Sequence, residues 1–189
     1  MFLDLDGTLH DYFNGENDLK QKEIRFVGNP EERIKEDYLR IFRYFRFHAR
    51  YGLAKKHDQG TLKTIKDNLN GLTEISGERI WNELKRIFTL KTCDDVIHVM
   101  INQIGMGKHI GLKDGQKDLN EFDKVLLRLN QANIPWEAVT LFSSLIQDDK
   151  ELISSHLRLK LSNVERETVA YIINNNRDKQ FDGDLESLK

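Results

Sequence analysis

A single cysteine, Cys93, stands among the 189 residues, so neither an internal disulfide nor a cysteine-rich zinc site can form. A reducing compartment is the expectation that goes with such usage. Only two prolines occur, so little interrupts helices. No apolar run approaches the ~20 residues that span a bilayer, and no membrane partner is expected. The first residues carry Asp4 and Asp6 rather than a basic segment followed by an apolar stretch, so no targeting segment is expected in this chain. A surplus of one charge sign is missing too. The net charge of −2 gives no global attraction to nucleic acid, and any RNA contact must come from a local basic stripe. What is present is a balance of 39% hydrophobic and 32% charged residues, which suits a helix-rich protein with many solvated faces. The length allows one or two compact domains.

Residues 1–28 read as short strands. Phe2–Leu5 and Thr8–Phe13 flank Asp6-Gly7, a dipeptide that favours a two-residue hairpin turn. Asn14-Gly15 reads as a second turn and Ile24–Val27 as a third strand. Helices follow. Asn29 is a good N-cap, Pro30 fits the first helical position, and Glu31 and Glu32 suit the positive end of the dipole. The spacing of Ile34, Tyr38, Ile41, Phe42 and Phe45 predicts one helix of about six turns over 30–51. Further helices are expected over 59–70, from a Ser76 cap onward, and over 94–104, 119–129, 136–147 and 164–174, with a polar, frayed tail from Arg177. The fold class is mainly α, an array of packed helices with a short N-terminal β-hairpin.

On the long predicted helix, steps of three and four put Arg33, Asp37, Arg40 and Tyr44 on one stripe, with Arg43 and Arg46 continuing around the cylinder. A guanidinium and a carboxylate one turn apart can read a base edge. Cytosine and adenine each set an exocyclic amino group beside a ring acceptor, so Asp37 would accept from the amino group while Arg40 donates to the ring nitrogen. Uracil and guanine set a carbonyl beside a ring N–H there, leaving both contacts unpaired at about 1–3 kcal/mol each. Two such mismatches discriminate by two or more powers of ten. Spacing alone permits base reading but does not point to it; such pairs are common on solvated helix faces, where they are worth a few tenths of a kcal/mol.

The string Glu36-Asp37-x-x-Arg40-x-x-Arg43-x-x-Arg46-Phe47 resembles the motif that follows the catalytic domain in class II CCA-adding tRNA nucleotidyltransferases and related poly(A) polymerases. Phe2-Leu3, Gly7, Asp11–Gly15, Asp18-Leu19 and Ile24–Gly28 before it are similar to the same family, as is the block Ile75–Lys85 after it. The resemblance is strong over residues 1–90. It implies a remnant of the catalytic head over 1–28, a nucleotide-selecting neck over 29–92, and a helical, tRNA-binding body over 93–189 with the tail largely absent. It also implies that Asp37 and Arg40 read the base of CTP or ATP, that Arg43 and Arg46 contact the triphosphate or RNA, and that Glu36, Glu78 and Arg79 brace the neck. The family's Mg²⁺-binding carboxylates belong to the head, upstream of Met1, so no catalytic or metal-binding residue is expected in this chain and the chain alone is expected to be inactive. The partner implied is the tRNA acceptor arm. Mitochondrial and cytoplasmic forms both fit the family.

Two other readings remain at this point. A non-catalytic RNA-binding helical module would share the basic excess of Arg33, Lys35, Arg40, Arg43, Arg46, Arg50, Lys55 and Lys56 over Glu36 and Asp37. Asp4-x-Asp6-Gly7-Thr8 resembles the nucleophile motif of haloacid dehalogenase phosphatases, but only three residues precede it and the later parallel strands of that fold have no home here. Gly105-Met106-Gly107-Lys108 lacks the spacing of a phosphate loop and reads as a tight connection. The six histidines show no metal-ligand spacing, Cys93 has no nearby partner for nucleophilic chemistry, and Trp81 and Trp136 read as core.

Overall fold

The computed structural model describes residues 1–52 and 56–177; Lys55 and the polar tail expected beyond Arg177 lie outside the described residues. The N-terminus is a two-stranded antiparallel hairpin, β1 (Phe2–Leu3) and β2 (Leu9–His10), in the register Phe2↔His10 and Leu3↔Leu9. Its connection is longer than the expected two-residue turn and runs from Asp4 to Thr8. The amide of Asp4 donates to the Thr8 carbonyl at 2.9 Å, and Gly7, at φ +88°, closes the bend.

Residues 14–21 correct a second expectation. The Asn14-Gly15 turn opens a helix, α1 (Gly15–Gln21), because the Asp11 carboxylate accepts from the amides of Gly15 at 2.9 Å and Glu16 at 2.7 Å. The third strand expected over 24–27 is irregular chain. Arg25 ties it back to Asp18 at 2.7 Å, and Phe26 stacks on Tyr44 with ring centroids 5.7 Å apart. A two-stranded ribbon offers these residues no edge worth pairing with.

The predicted six-turn helix is broken in two. α2 (Pro30–Glu36) begins at the Asn29 cap as expected, with Asn29 Oδ1 accepting from Glu31 at 2.9 Å. Asp37 then turns extended, at φ −159° and ψ 103°, and α3 (Arg40–Phe47) starts afresh. The cause is the short carboxylate, which competes for nearby backbone donors: Asp37 Oδ1 accepts from the Leu39 amide at 3.1 Å, and the Asp37 carbonyl accepts from Arg40 at 3.0 Å. Asp37 behaves as the cap of the second helix. Residues His48–Gly52 continue α3 with π-helical winding.

α4 (Gln59–Asp67) is capped by Asp58, and a 3₁₀ segment (Leu69–Glu74) leads to α5 (Gly77–Phe88). α6 (Asp94–His98) passes into a second π segment (Val99–Gln103), followed by a 3₁₀ turn (Gly107–Ile110). Then come α7 (Asn120–Ala132), α8 (Ala138–Ser144), α9 (Asp149–Leu159) and α10 (Asn163–Arg177). One contiguous core runs from Ile34 to Ile173. α5 is its axis: it packs on α3, α8 and α9, and α8 packs on α7 and α10. Its apolar stripe Ile80, Trp81, Leu84, Ile87 and Phe88 is buried, and Trp81 and Phe88 flank Phe142 of α8. Among the described residues no helix is long and apolar enough to cross a membrane.

Candidate functional site

The break at Asp37 and the packing of α3 on α5 gather three carboxylates and six arginines. Glu36, the last residue of α2, accepts from Arg33 Nη1 and Arg40 Nη1, both at 2.6 Å. Arg40, and then Arg33, hold the Glu36 carboxyl below the usual range, against a smaller opposing effect of desolvation. Asp37 is met from α5 by Arg79, whose Nη2 donates at 3.3 and 3.1 Å to its two oxygens. Glu83, one helical turn beyond Arg79, lies among three guanidinium groups. Arg46 Nη1 is 2.9 Å from its Oε2, and Arg43 Nε and Arg86 Nη1 are 3.7 and 3.5 Å from its Oε1.

Several expectations about this site are corrected. Asp37 and Arg40 do not lie along one continuous helix face, because the backbone leaves the helix at Asp37 and the next helix begins at Arg40. Tyr44 does not join the arginine stripe; it is buried, bonded through its hydroxyl to His57 Nδ1 at 3.0 Å. Glu36 pairs with Arg33 and Arg40, and Arg79 pairs with Asp37, whereas Glu78 is exposed in the first turn of α5 and makes no ion pair among the described residues. Glu83 and Arg86 were not foreseen. Glu83 is 4% exposed on a helix whose buried face is otherwise apolar, and an isolated acid at a core position is the signal that could have found it.

Arg40 uses only Nη1, donating also to the Arg33 carbonyl at 2.9 Å, which leaves Nε and Nη2 without a partner among the described residues. Among the described residues the Asp37 carboxylate accepts from Leu39 and Arg79 only and keeps acceptor capacity. Both side chains are about one quarter exposed, at 24% and 27%. The site can therefore offer a charged acceptor and a planar donor together, beside a row of positive charge.

The competing motifs are occupied with local structure. Asp4 Oδ2 pairs with His10 Nε2 at 2.7 Å and Asp6 Oδ1 accepts from the Thr8 amide at 2.9 Å, so both stabilise the hairpin bend. Gly105–Lys108 ends one helical segment and starts the 3₁₀ turn. Burial pushes the Cys93 thiol up to about 12, where it is no nucleophile. His48 and His57 stack 3.6 Å apart at the edge of a cleft of about 720 Å³ that also holds Asp94, Asp95, His98 and Gln103. Among the described residues no group of three His, Cys, Asp or Glu side chains could hold a metal ion.

Residues 56–103 match a family model described as the probable RNA and SrmB-binding site of polymerase A. The mouse CCA tRNA nucleotidyltransferase 1, mitochondrial, is 45% identical over 179 residues, which is 94% of this chain and 40% of that protein. The chain belongs to the CCA-adding enzyme family. A CCA-adding enzyme of Limosilactobacillus fermentum is 35% identical over 84% of the chain and 38% of its own length. In three dimensions this CCA-adding-family chain is similar to a CCA-adding enzyme solved in complex with CTP, with a TM-score of 0.66, 21% identity, and 89% and 41% of the two chains covered. The chain spans about 40% of the length of the curated relatives it matches.

Proposed function

We propose that this chain is the nucleotide-selecting neck and tRNA-holding body of a CCA tRNA nucleotidyltransferase, with the neck over 29–92 and the body over 93–189. The observation that carries the reading is the pairing of an open acceptor on Asp37 with open donors on Arg40 beside Arg43 and Arg46. Asp37 accepts from the exocyclic amino group of CTP or ATP, Arg40 donates to the ring nitrogen, and Arg43 and Arg46 meet phosphate oxygens. The bracing pairs Glu36–Arg40 and Arg79–Asp37 hold these heads in place before a nucleotide arrives, which lowers the ordering cost of binding. The RNA partner is the acceptor arm of a tRNA, a reading supported by the match over 56–103.

The described residues offer no cluster of three or more His, Cys, Asp or Glu side chains for a metal ion. In this reading the Mg²⁺ ions that the resemblance implies belong to a catalytic head, and the chain alone, given CTP, Mg²⁺ and a tRNA lacking CCA, gives no extension. The mitochondrial names of the mouse and human relatives favour that compartment. The test is Asp37→Ala in a full-length enzyme. Loss of one charged acceptor bond, about 1–3 kcal/mol, lowers the preference for CTP over UTP by roughly five- to 150-fold, more than it lowers turnover. Selectivity that survives the substitution removes the base-reading role.

A further inference from the structure

Glu83 is a carboxylate in the wrong place for a core and the right place for a site. Its side chain is 6% exposed, while the guanidinium groups around it run outward, Arg46 at 17%, Arg43 at 46% and Arg86 at 63%. Three positive charges meet one negative charge, so two are in excess on a face that opens to solvent. The buried Oε2 atom has the Arg46 guanidinium 2.9 Å away as its charge partner. Arg46 is further fixed by lying 4.8 Å over the Phe47 ring.

We infer that Glu83 is a positioning residue that spaces Arg43, Arg46 and Arg86 as a three-pronged seat for phosphate oxyanions, and that Arg86 is the third prong. The inference rests on the proposed nucleotide-selecting site but adds to it a base-blind component, carried by α5. The chemistry recognised is a chain of phosphates, supplied either by the triphosphate of the incoming nucleotide or by the tRNA backbone. Glu83 touches neither. It keeps the arginines from scattering into solvent, where each would lose rotamer freedom on binding.

The test uses full-length enzyme with Glu83→Gln, which keeps shape and removes charge. Positioning and simple charge neutralisation predict opposite signs. If Glu83 only offset positive charge, the substitution would tighten phosphate binding. If it positions the arginines, KM for CTP and UTP rises together by about tenfold, with kcat little changed and the CTP:UTP preference intact, and inorganic triphosphate inhibits about tenfold more weakly. A rise confined to the KM for tRNA assigns the phosphates to the RNA backbone instead. Glu83→Asp should recover part of the loss. Arg86→Gln, at an exposed position, folds regardless and should raise the same KM several-fold, so it decides the matter if Glu83→Gln does not fold. Unchanged or tighter phosphate binding in these variants overturns the inference. Because Asp37→Ala is read in the CTP:UTP ratio and Glu83→Gln in both nucleotides alike, either reading can fail while the other stands.

Discussion

Glu151→Ala should be among the most damaging single substitutions in the helical body. The Glu151 and Lys117 side chains are 2% and 5% exposed, and Lys117 Nζ lies 2.7 and 2.8 Å from the two carboxylate oxygens. The same oxygens accept from the amides of Lys113 at 2.8 Å and Gln147 at 2.7 Å. Removing the acid strands a buried ammonium and two backbone donors. Breaking a buried pair from one side costs about 3–5 kcal/mol, against a whole-domain stability of about 5–15 kcal/mol. At about 2–4 °C per kcal/mol for a chain of this size, the melting temperature should fall by roughly 6–20 °C. Adding Lys117→Met to that background should return part of the loss, since the stranded charge goes with it. The pair also has an acid signature. Burial pushes the Glu151 carboxyl up, but Lys117 and the amides of Gln147 and Lys113 outweigh it and the net shift is downward. A depressed carboxyl contributes stability above its unfolded pKa of about 4.3 and loses it as pH falls through the folded value. Denaturant titrations of the wild type, the single variant and the double variant measure all of this. A loss under about 1 kcal/mol, or a double variant no more stable than Glu151→Ala alone, refutes the account.

Gly77→Ala should destabilise the junction of α5 and α9, because a Cβ there collides with the carbonyl oxygen of Arg158; a cost of about 1–3 kcal/mol or more is expected, read as a lower urea midpoint with unchanged slope. Burial, then the neighbouring His48, push the His57 imidazole down to about 4. The unfolded chain, with its imidazole near 6.5, therefore takes up the proton first, so stability should decline as pH falls from about 6.5 to about 4 and level off below. His57→Phe should flatten that segment of the midpoint-against-pH curve, and an identical slope in both proteins counts against the assignment.

Most helices could be read from the chain because their apolar residues recur on one face. α5 is the clearest case, with Ile80, Trp81, Leu84, Ile87 and Phe88 all buried. α9 was missed for the opposite reason. Its buried face carries Glu151 and Ser155 beside Leu152 and Leu159, while Ile153 and Leu157 are exposed, so apolar residues fall on both sides and the period blurs. A signal was available: Asp148 caps Glu151 at 2.9 Å, the spacing of a helix start. Gly111 is a glycine because the backbone of Ser155 sits against it, a constraint between residues 44 positions apart that periodicity cannot register.

Of the candidate site, the sequence offered Glu36, Asp37 and the arginines other than Arg86 as residues but neither Glu83 nor the arrangement. Apolar spacing from Ile34 to Phe45 runs through Asp37 without a stumble, since two short helices bent at one residue can bury the same positions as one long helix. What the pattern could not weigh was the Asp37 side chain, which wins the Leu39 amide and an arginine from α5 in exchange for one broken turn. For the proposed base-reading role that break has a consequence. On a continuous helix, Asp37 and Arg40 would move as a rigid unit and differ from any surface pair only by spacing. With the break, each is anchored to a different partner, Asp37 to Arg79 and Arg40 to Glu36, and the distance between them is set by α5 as much as by the segment itself. α5 then supplies a second anchor one turn on, where Glu83 meets Arg43 and Arg46. Selectivity should therefore respond to substitutions on α5 that leave the Asp37–Arg46 segment untouched, a dependence that a single-helix arrangement does not produce.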